Sequence, residues 1–487
     1  MGFIGNQDAV KNSALEILSL VFFDNFNPRN ETLIMNGLAK ALMCTGLASF
    51  LLTIPLLAGN IYAAETDDVN PLQFYTGERG SYLKATLEVG LAVFDQSNSC
   101  FGNSKEYLGK ESNSWEESII RPGIEGKYTF ADYEKIYGRF DVVQANTFGG
   151  VDAGGTNAKL GNVSNLHRED TYVGWRSGRL FSSLDEDFLD ISFGRQSYVV
   201  GNGFLFRTEG GVGYNRADYW IGMRSDADYA GIVRMRQGGW SIDLLYLRAD
   251  DIAQSNTRAG GITIDYAFKK IWNIGGGIYS VNTDKPRPGS REDLTAYDIR
   301  GSVKPFAKSD SLAALRPLKL EAEFVYEDKP AGNAAGNGWY LAASYQFDQI
   351  PWKPKLTYRY ASFEDHYDQL FYGMTDWESW YQGEIMGEYV HGNHNLDTNM
   401  IQLKVQPIKR VAVSLNYLHF NFDDAKAAQV TSNNFTDEVD MIIDLTVNKH
   451  LSFSLVGAEA VPNPGGTQLL GGKENWLYVM LFSRVKF

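Results

Sequence analysis

The sequence predicts an all-β chain, a transmembrane antiparallel β-barrel of about 18 strands with long extracellular loops and short periplasmic turns. Three observations carry this expectation. Residues 475–487 alternate: Leu477, Val479, Leu481, Ser483, Val485 and Phe487 fall on one face, and Tyr478, Met480, Phe482, Arg484 and Lys486 on the other, because successive strand side chains point to opposite faces. The same period of two recurs along the chain in runs long enough to cross a bilayer. The connections between the runs alternate between short and long.

At the N-terminal side, Met35-Asn-Gly-Leu-Ala-Lys40, the apolar stretch Ala41 to Leu57 and the small residues Ala63-Ala64 read as a signal peptide over 35–63. Residues 1–34 then read as an upstream extension without a fold, and 64–80 as a short periplasmic segment ahead of a barrel over 81–487. No other stretch has the apolar length of a membrane helix. Forty-nine glycines, 13% aromatics and a mean hydropathy of −0.27 suit strands with one lipid-facing side. Of the two cysteines, Cys44 lies in the leader, so Cys100 has no internal partner. The net charge of −14 argues against nucleic acid as a partner, because phosphate binding needs a concentrated basic surface.

The alternating runs are Ser81–Phe94, Ile119–Phe130, Lys135–Thr147, Arg168–Ser177, Phe188–Tyr198, Tyr229–Arg236, Trp240–Arg248, Gly260–Phe268 and Ile271–Val281 in the first half. Leu294–Lys304, Pro317–Glu327, Gly338–Phe347, Pro354–Phe363, Thr398–Pro407, Arg410–Asn421, Thr436–Val447, His450–Ala458 and Asn475–Phe487 complete the set. Segments such as 237–239, 269–270 and 408–409 are short, whereas 95–118, 148–167, 199–228 and 364–397 are long. The run Ala217–Arg224 also alternates, but counting it as a strand would put the long loops in the periplasm, so it belongs to the third outer loop.

A Lys or Arg facing lipid at mid-membrane costs about 2–4 kcal/mol. On the apolar parity the charged residues are Glu169, Arg195, Arg248 and Asp437. The opposite parity lines a wet lumen with Arg121, Glu125, Lys127, Arg139, Arg168, Arg176, Asp190, Arg234, Arg236, Arg300 and Arg359, and seven of its bases crowd strands two to six. Either they form a basic constriction for an anionic solute or each pairs with a neighbouring carboxylate. Arg195 shares the parity of Ile191 and Phe193, so a bulge at Gly194 is expected to turn it inward.

Tyr372, Trp377, Trp380 and Tyr381 occupy the long 364–397 loop, where they are expected to pack it against the rim or into the lumen as a gate rather than stack on sugars. Tyr82, Trp240, Trp272, Trp339, Trp352 and Trp476 read as interfacial girdle residues. The absence of a Gly-x-Ser-x-Gly elbow and the scatter of six histidines weigh against a barrel enzyme. His391-Gly-Asn-His394 reads as an exposed loop pair rather than a metal site. No cofactor and no metal are called for.

Phe193-Gly-Arg-Gln196, Arg168-Glu-Asp-Thr-Tyr-Val-Gly-Trp175, Trp380-Tyr-Gln-Gly-Glu384 and Thr436-Asp-Glu-Val-Asp440 resemble the alginate export family of outer-membrane channels. The resemblance implies passive passage of an acidic polysaccharide or oligosaccharide through an arginine-lined pore, with Arg195 and then Arg168 as the residues carried over. The interior carboxylates depart from that picture. The alternatives are a porin for neutral or apolar small nutrients and an outer-membrane barrel enzyme. The expected partners are outer-membrane lipid and lipopolysaccharide, an anionic sugar or organic-anion solute, and periplasmic proteins.

Overall fold

A computed structural model describes residues 72–109, 112–149, 162–252, 255–284, 291–329, 334–377 and 379–487. The expected signal peptide, the upstream extension and Cys44 lie outside the described residues. A short strand β1 (Gln73–Thr76) precedes eighteen barrel strands: β2 (Tyr82–Ser97), β3 (Ser112–Thr129), β4 (Lys135–Phe148), β5 (Val163–Arg176), β6 (Leu189–Arg195), β7 (Tyr229–Gln237), β8 (Trp240–Arg248), β9 (Arg258–Phe268) and β10 (Trp272–Asn282) form the first half. The second half comprises β11 (Leu294–Val303), β12 (Lys319–Asp328), β13 (Gly336–Gln346), β14 (Lys355–Phe363), β15 (Leu396–Ile408), β16 (Val411–Asn421), β17 (Asn434–Thr446), β18 (Leu451–Pro462) and β19 (Trp476–Lys486). Each strand pairs antiparallel with the next, and β19 pairs with β2 from Leu477↔Ser97 to Lys486↔Glu88, which closes the sheet. Closure removes the exposed edges that an open sheet would present. Below the seam, Phe487 exchanges backbone hydrogen bonds with Leu87, and β1 takes over the same edge of β2 through Thr76↔Tyr82 and Gln73↔Lys84. The polar backbone of β2 is thereby satisfied beyond the last barrel residue.

At one end of the barrel the turns are tight. Lys269 and Lys270, at φ 46° and 57°, join β9 to β10 with both central residues left-handed, the twist that antiparallel neighbours favour. The other end, here the loop end, carries the segments that fold back into the barrel. Ala217–Arg224 forms no strand and belongs to one of them.

Outward positions are apolar: Leu83, Ile120, Ile124, Phe140, Ile264, Ile278, Leu320, Phe324, Leu341 and Ile401 are all exposed on the barrel's exterior. Trp240, Trp272 and Trp352 are exposed near the turn end, as girdle residues should be. Tyr82 and Trp476 correct the expectation. Tyr82 donates inward to Glu125 at 2.5 Å, and Trp476 is buried, donating to Gln96 at 3.0 Å and set edge-on to Phe101.

A break in register and a backbone turn account for two of the anomalous charges, Glu169 and Arg195. Between Phe140↔Thr171 and Val142↔Arg168 the single residue Asp141 opposes both Glu169 and Asp170. This bulge inverts the parity of β5, so that Leu166 and Val173 both face outward while Glu169 and Asp170 both point in. Gly194, at φ +130°, then turns Arg195 into the lumen, where it meets Glu169 at 2.8 Å. The inward turn of Arg195 matches the expectation, but it comes from the positive φ of Gly194 with the register to β5 and β7 unbroken, not from the expected bulge. The same bulge overturns another reading: Arg168, above it, shares the outward face of Leu166 with its side chain 58% exposed, and does not line the lumen. Asp437 stays outward, held by the Tyr417 hydroxyl at 2.6 Å, His419 Nδ1 at 2.8 Å and Asn463 Nδ2 at 2.7 Å.

Candidate functional site

The lumen is crossed by two inward segments, 196–228 and 364–395. In the first, Phe204, Leu205 and Phe206 are almost wholly buried and reach the far wall. Phe204 packs on Tyr340, Phe363 and Trp380, and Phe206 packs on Tyr279 and Phe371. Its other arm returns to β3, where the Glu117 carboxylate accepts the backbone N–H groups of Tyr219, Trp220 and Ile221 at 2.9–3.1 Å, together with the Trp115 indole N–H at 3.1 Å. The second segment is anchored the same way. Glu438 of β17 accepts the N–H groups of Ile385 and Met386 at 2.7 and 2.9 Å, at the start of the wide helical turn Gly383–Val390. Charge-assisted bonds to a fixed strand carboxylate hold a loop more firmly than neutral contacts.

The aromatic residues expected to gate do join the loops. Trp377 lies 5.8 Å from Trp220 in a stacked pair and donates to Asp444 at 2.9 Å. Trp380 is fully buried beneath the Arg359 guanidinium, 4.4 Å from its ring. Tyr372 lies 5.1 Å from Tyr381, over which Arg224 sits at 5.0 Å. His391 and His394 are not the exposed pair expected. Their rings lie 4.6 Å apart, with His391 wedged against Phe422 and Phe435, and burial pushes the His391 imidazole down to about 4.

The wall arginines are largely neutralised. Arg121 pairs with Asp170 at 2.7 Å and Asp141 at 3.0 Å; Arg139 reaches Asp141 at 2.7 Å, Asp170 at 3.1 Å and Glu125 at 3.7 Å. Arg176 meets Asp190 at 3.0 Å over the Tyr137 ring. Arg236 pairs with Asp243, and Arg300 with Asp298 and, at 2.7 Å, Asp265. Lys127 lies over Tyr82 at 5.3 Å, and Arg234 donates to Ser192 Oγ at 3.2 Å. Neighbouring carboxylates thus convert the expected basic wall into a ladder of alternating charge.

Among the described residues, two cavities border the loops. One, of about 530 Å3, lies against Glu209, Asp251, Arg291 and Tyr372; the other, of about 320 Å3, against Glu88, Arg207, Met374 and Arg484. Both are bordered by Thr208, Tyr219-adjacent Arg224, Tyr381 and Glu388, and Arg224 pairs with Glu388 at 2.9 Å. Arg207 donates to the Met374 carbonyl at 3.2 Å and forms no ion pair among the described residues. Arg207, Arg224, Glu388 and Glu117 were absent from the residues read out of the sequence. Arg207 and Glu388 sit in loops without periodicity, Arg224 ends an alternating run that belongs to a loop, and Glu117 lies before the alternating run Ile119–Phe130. Its parity with Arg121 was the available signal.

Beside Glu117 lies Asp218, buried in the first inward segment, whose carboxyl is pushed up to about 9 by burial and then by the Glu117 charge. A carboxyl raised in the docked state binds a proton that the undocked loop releases above its ordinary range near 4, so docking weakens as pH rises from there towards 9. Single-channel conductance in planar bilayers is therefore expected to be higher at pH 9 than at pH 5, with Asp218→Asn flattening the profile. A flat profile in the unmodified protein would refute this.

No protein-family model matches the chain, and no curated protein sequence does. Solved structures match its fold. Pseudomonas aeruginosa OpdQ superposes with a TM-score of 0.52 at 9% identity over 83% of this chain and 98% of that one. A BenF-like porin from Pseudomonas fluorescens Pf-5 gives 0.52 at 10% identity over 83% and 99%, and Acinetobacter baumannii OccAB1 gives 0.51 at 12% over 83% and 97%. The class defined by this closed eighteen-strand sheet with an apolar exterior is the outer-membrane β-barrel, and its place is the bacterial outer membrane. The neighbours are Occ/OprD-type porin barrels, and they do not support the alginate-export resemblance drawn from the sequence motifs.

Proposed function

We propose that the protein is a porin-type channel for passive passage of small hydrophilic solutes, not a polysaccharide exporter and not an enzyme. The observation that carries this reading is the pair of inward segments, which cross the lumen and border small cavities lined by Arg224, Tyr381 and Glu388. A polymer chain needs a continuous, wide path. A small solute needs polar groups to replace its water while it passes. Arg207, which borders a cavity and has no carboxylate partner among the described residues, is the group assigned here to anion selection, because the ion-paired wall arginines present little net charge to a solute.

Liposome swelling with neutral sugars of graded size is expected to show entry of monosaccharides and a sharp fall beyond disaccharides. Swelling by oligo-alginate would overturn the reading. In bilayers under a salt gradient, Arg207→Glu is expected to move the reversal potential toward cations, whereas Arg168→Gln, on the exterior, should leave it unchanged. An unmoved potential in Arg207→Glu removes that residue from selection. Turnover of a lipid or peptide by purified barrel would favour the enzyme alternative.

A further inference from the structure

The exterior of the barrel carries an arginine cluster that solute passage does not use. Arg168, Arg248 and Arg258 all point outward at the loop end, with side chains 58%, 47% and 40% exposed. Arg248 and Arg258 are direct cross-strand partners, an arrangement of like charges that is unfavourable unless anions lie between or above them. Two carboxylates serve the three guanidiniums: Asp228 bridges Arg168 and Arg248, and Asp284 pairs with Arg258. One positive charge is left over. The outward charges at the loop ends of other strands, among them Glu116, Asp397, Asp437 and Glu459, are acidic, so the basic patch is confined to the β5–β9 side.

Its height on the barrel is fixed by its neighbours. Tyr246 lies on the same outward face two positions along β8 from Arg248, and Tyr229, paired with Arg248 in register, packs edge-on to Phe193 at 4.6 Å and to Tyr246 at 6.3 Å. Such an aromatic cluster marks the boundary between hydrocarbon and headgroups. Leu244 and Ile262 continue the apolar surface below it. The guanidiniums therefore sit at headgroup level and not in the hydrocarbon, where they would be costly.

We propose that Arg168, Arg248 and Arg258 form a binding site for the phosphoryl groups of the phosphorylated, multiply acylated glycolipid in the surrounding leaflet. A planar guanidinium donates two parallel hydrogen bonds to a phosphate, and Asp228 and Asp284 hold the three side chains in place while leaving them solvent-accessible. Acyl chains of the same lipid lie along Tyr246, Leu244 and Ile262. The inference is independent of what crosses the lumen.

The test uses the full chain purified in detergent, with thermal unfolding followed on addition of diphosphorylated lipid A or of its dephosphorylated form. Retained lipid is counted in parallel by native mass spectrometry. The phosphorylated lipid is expected to raise the transition temperature and to stay bound, and the dephosphorylated one to do neither. Arg168→Gln, Arg248→Gln and Arg258→Gln should each weaken retention by roughly fivefold, the factor for one cation at a charged membrane surface, and the triple variant should abolish the shift. Asp228→Asn, which removes a competing anion, should strengthen retention, so the proposal stays testable if the triple variant fails to fold. Equal effects of the two lipids, or a triple variant that binds like the parent, would overturn it. So would a triple variant that changes only the oligomeric state, which would assign the patch to contacts between copies.

Discussion

Glu117→Ala is expected to raise single-channel conductance severalfold without unfolding the barrel. The carboxylate gathers three consecutive backbone N–H groups of residues 219–221 and one indole N–H, and bonds to a charged acceptor contribute about 1.5–3 kcal/mol each. Even a net loss of about 3 kcal/mol shifts a docked-to-undocked ratio by roughly a hundredfold. Detachment of this arm also separates Trp220 from Trp377 and so loosens the second segment. The strand itself keeps its ladder to β2 and β4, which is why heat-modifiable migration on gels should stay that of a folded barrel. Glu117→Gln, retaining one acceptor oxygen, should fall between. A conductance equal to that of the parent in Glu117→Ala would show that the loop is held by its remaining contacts, without this carboxylate.

The second large effect is on assembly. Arg195→Met is expected to cost about 3–5 kcal/mol, because it leaves the buried Glu169 carboxylate facing a methyl group. Arg195 joins Glu169, 1% exposed, to Asp250 at 2.7 Å, and Asp250 in turn holds Arg216 at 2.8 Å. The chain of charges ties β5, β6 and the end of β8 to the inward segment. Urea unfolding of the refolded barrel in detergent is the measurement, and Arg195→Met with Glu169→Gln should recover part of the loss. Gly194→Val should be comparably damaging for a different reason. At φ +130° an L side chain is strained, and a Cβ would lie 2.3 Å from the Thr171 carbonyl oxygen. Variants as stable as the parent would mean that the bend is incidental.

The sequence made some of this legible and concealed the rest for physical reasons. Alternation exposes a strand wherever one side meets lipid and the other water, so β19 and the lumen-facing charges of β3 and β4 could be read directly. Arg195 was legible through its misfit: a charge on the apolar parity directly after a glycine leaves few arrangements. Arg168 was not, because the bulge that inverts β5 arises from pairing with Asp141 across strands, and no pattern within β5 announces it. The pairing of each wall arginine was likewise a matter of register between strands. The inward segments were unreadable for a simpler reason. Their residues are positioned by partners distant in the chain, so Arg207 and Glu388 carry no period of their own, and the alternation of 217–224 does not announce the pairing of Arg224 with Glu388.

The seam between β19 and β2 has a consequence for how the molecule is made. Its two sides come from opposite extremes of the folded region, so hairpins can accumulate in order while both flanks remain adhesive, and the cylinder locks only when Lys486 reaches Glu88. During that interval β1, bound low on β2, leaves most of one flank free to recruit another chain. The final zippering is therefore the step at which intermolecular pairing competes with maturation, and the concentration of unfinished sheets should decide the yield.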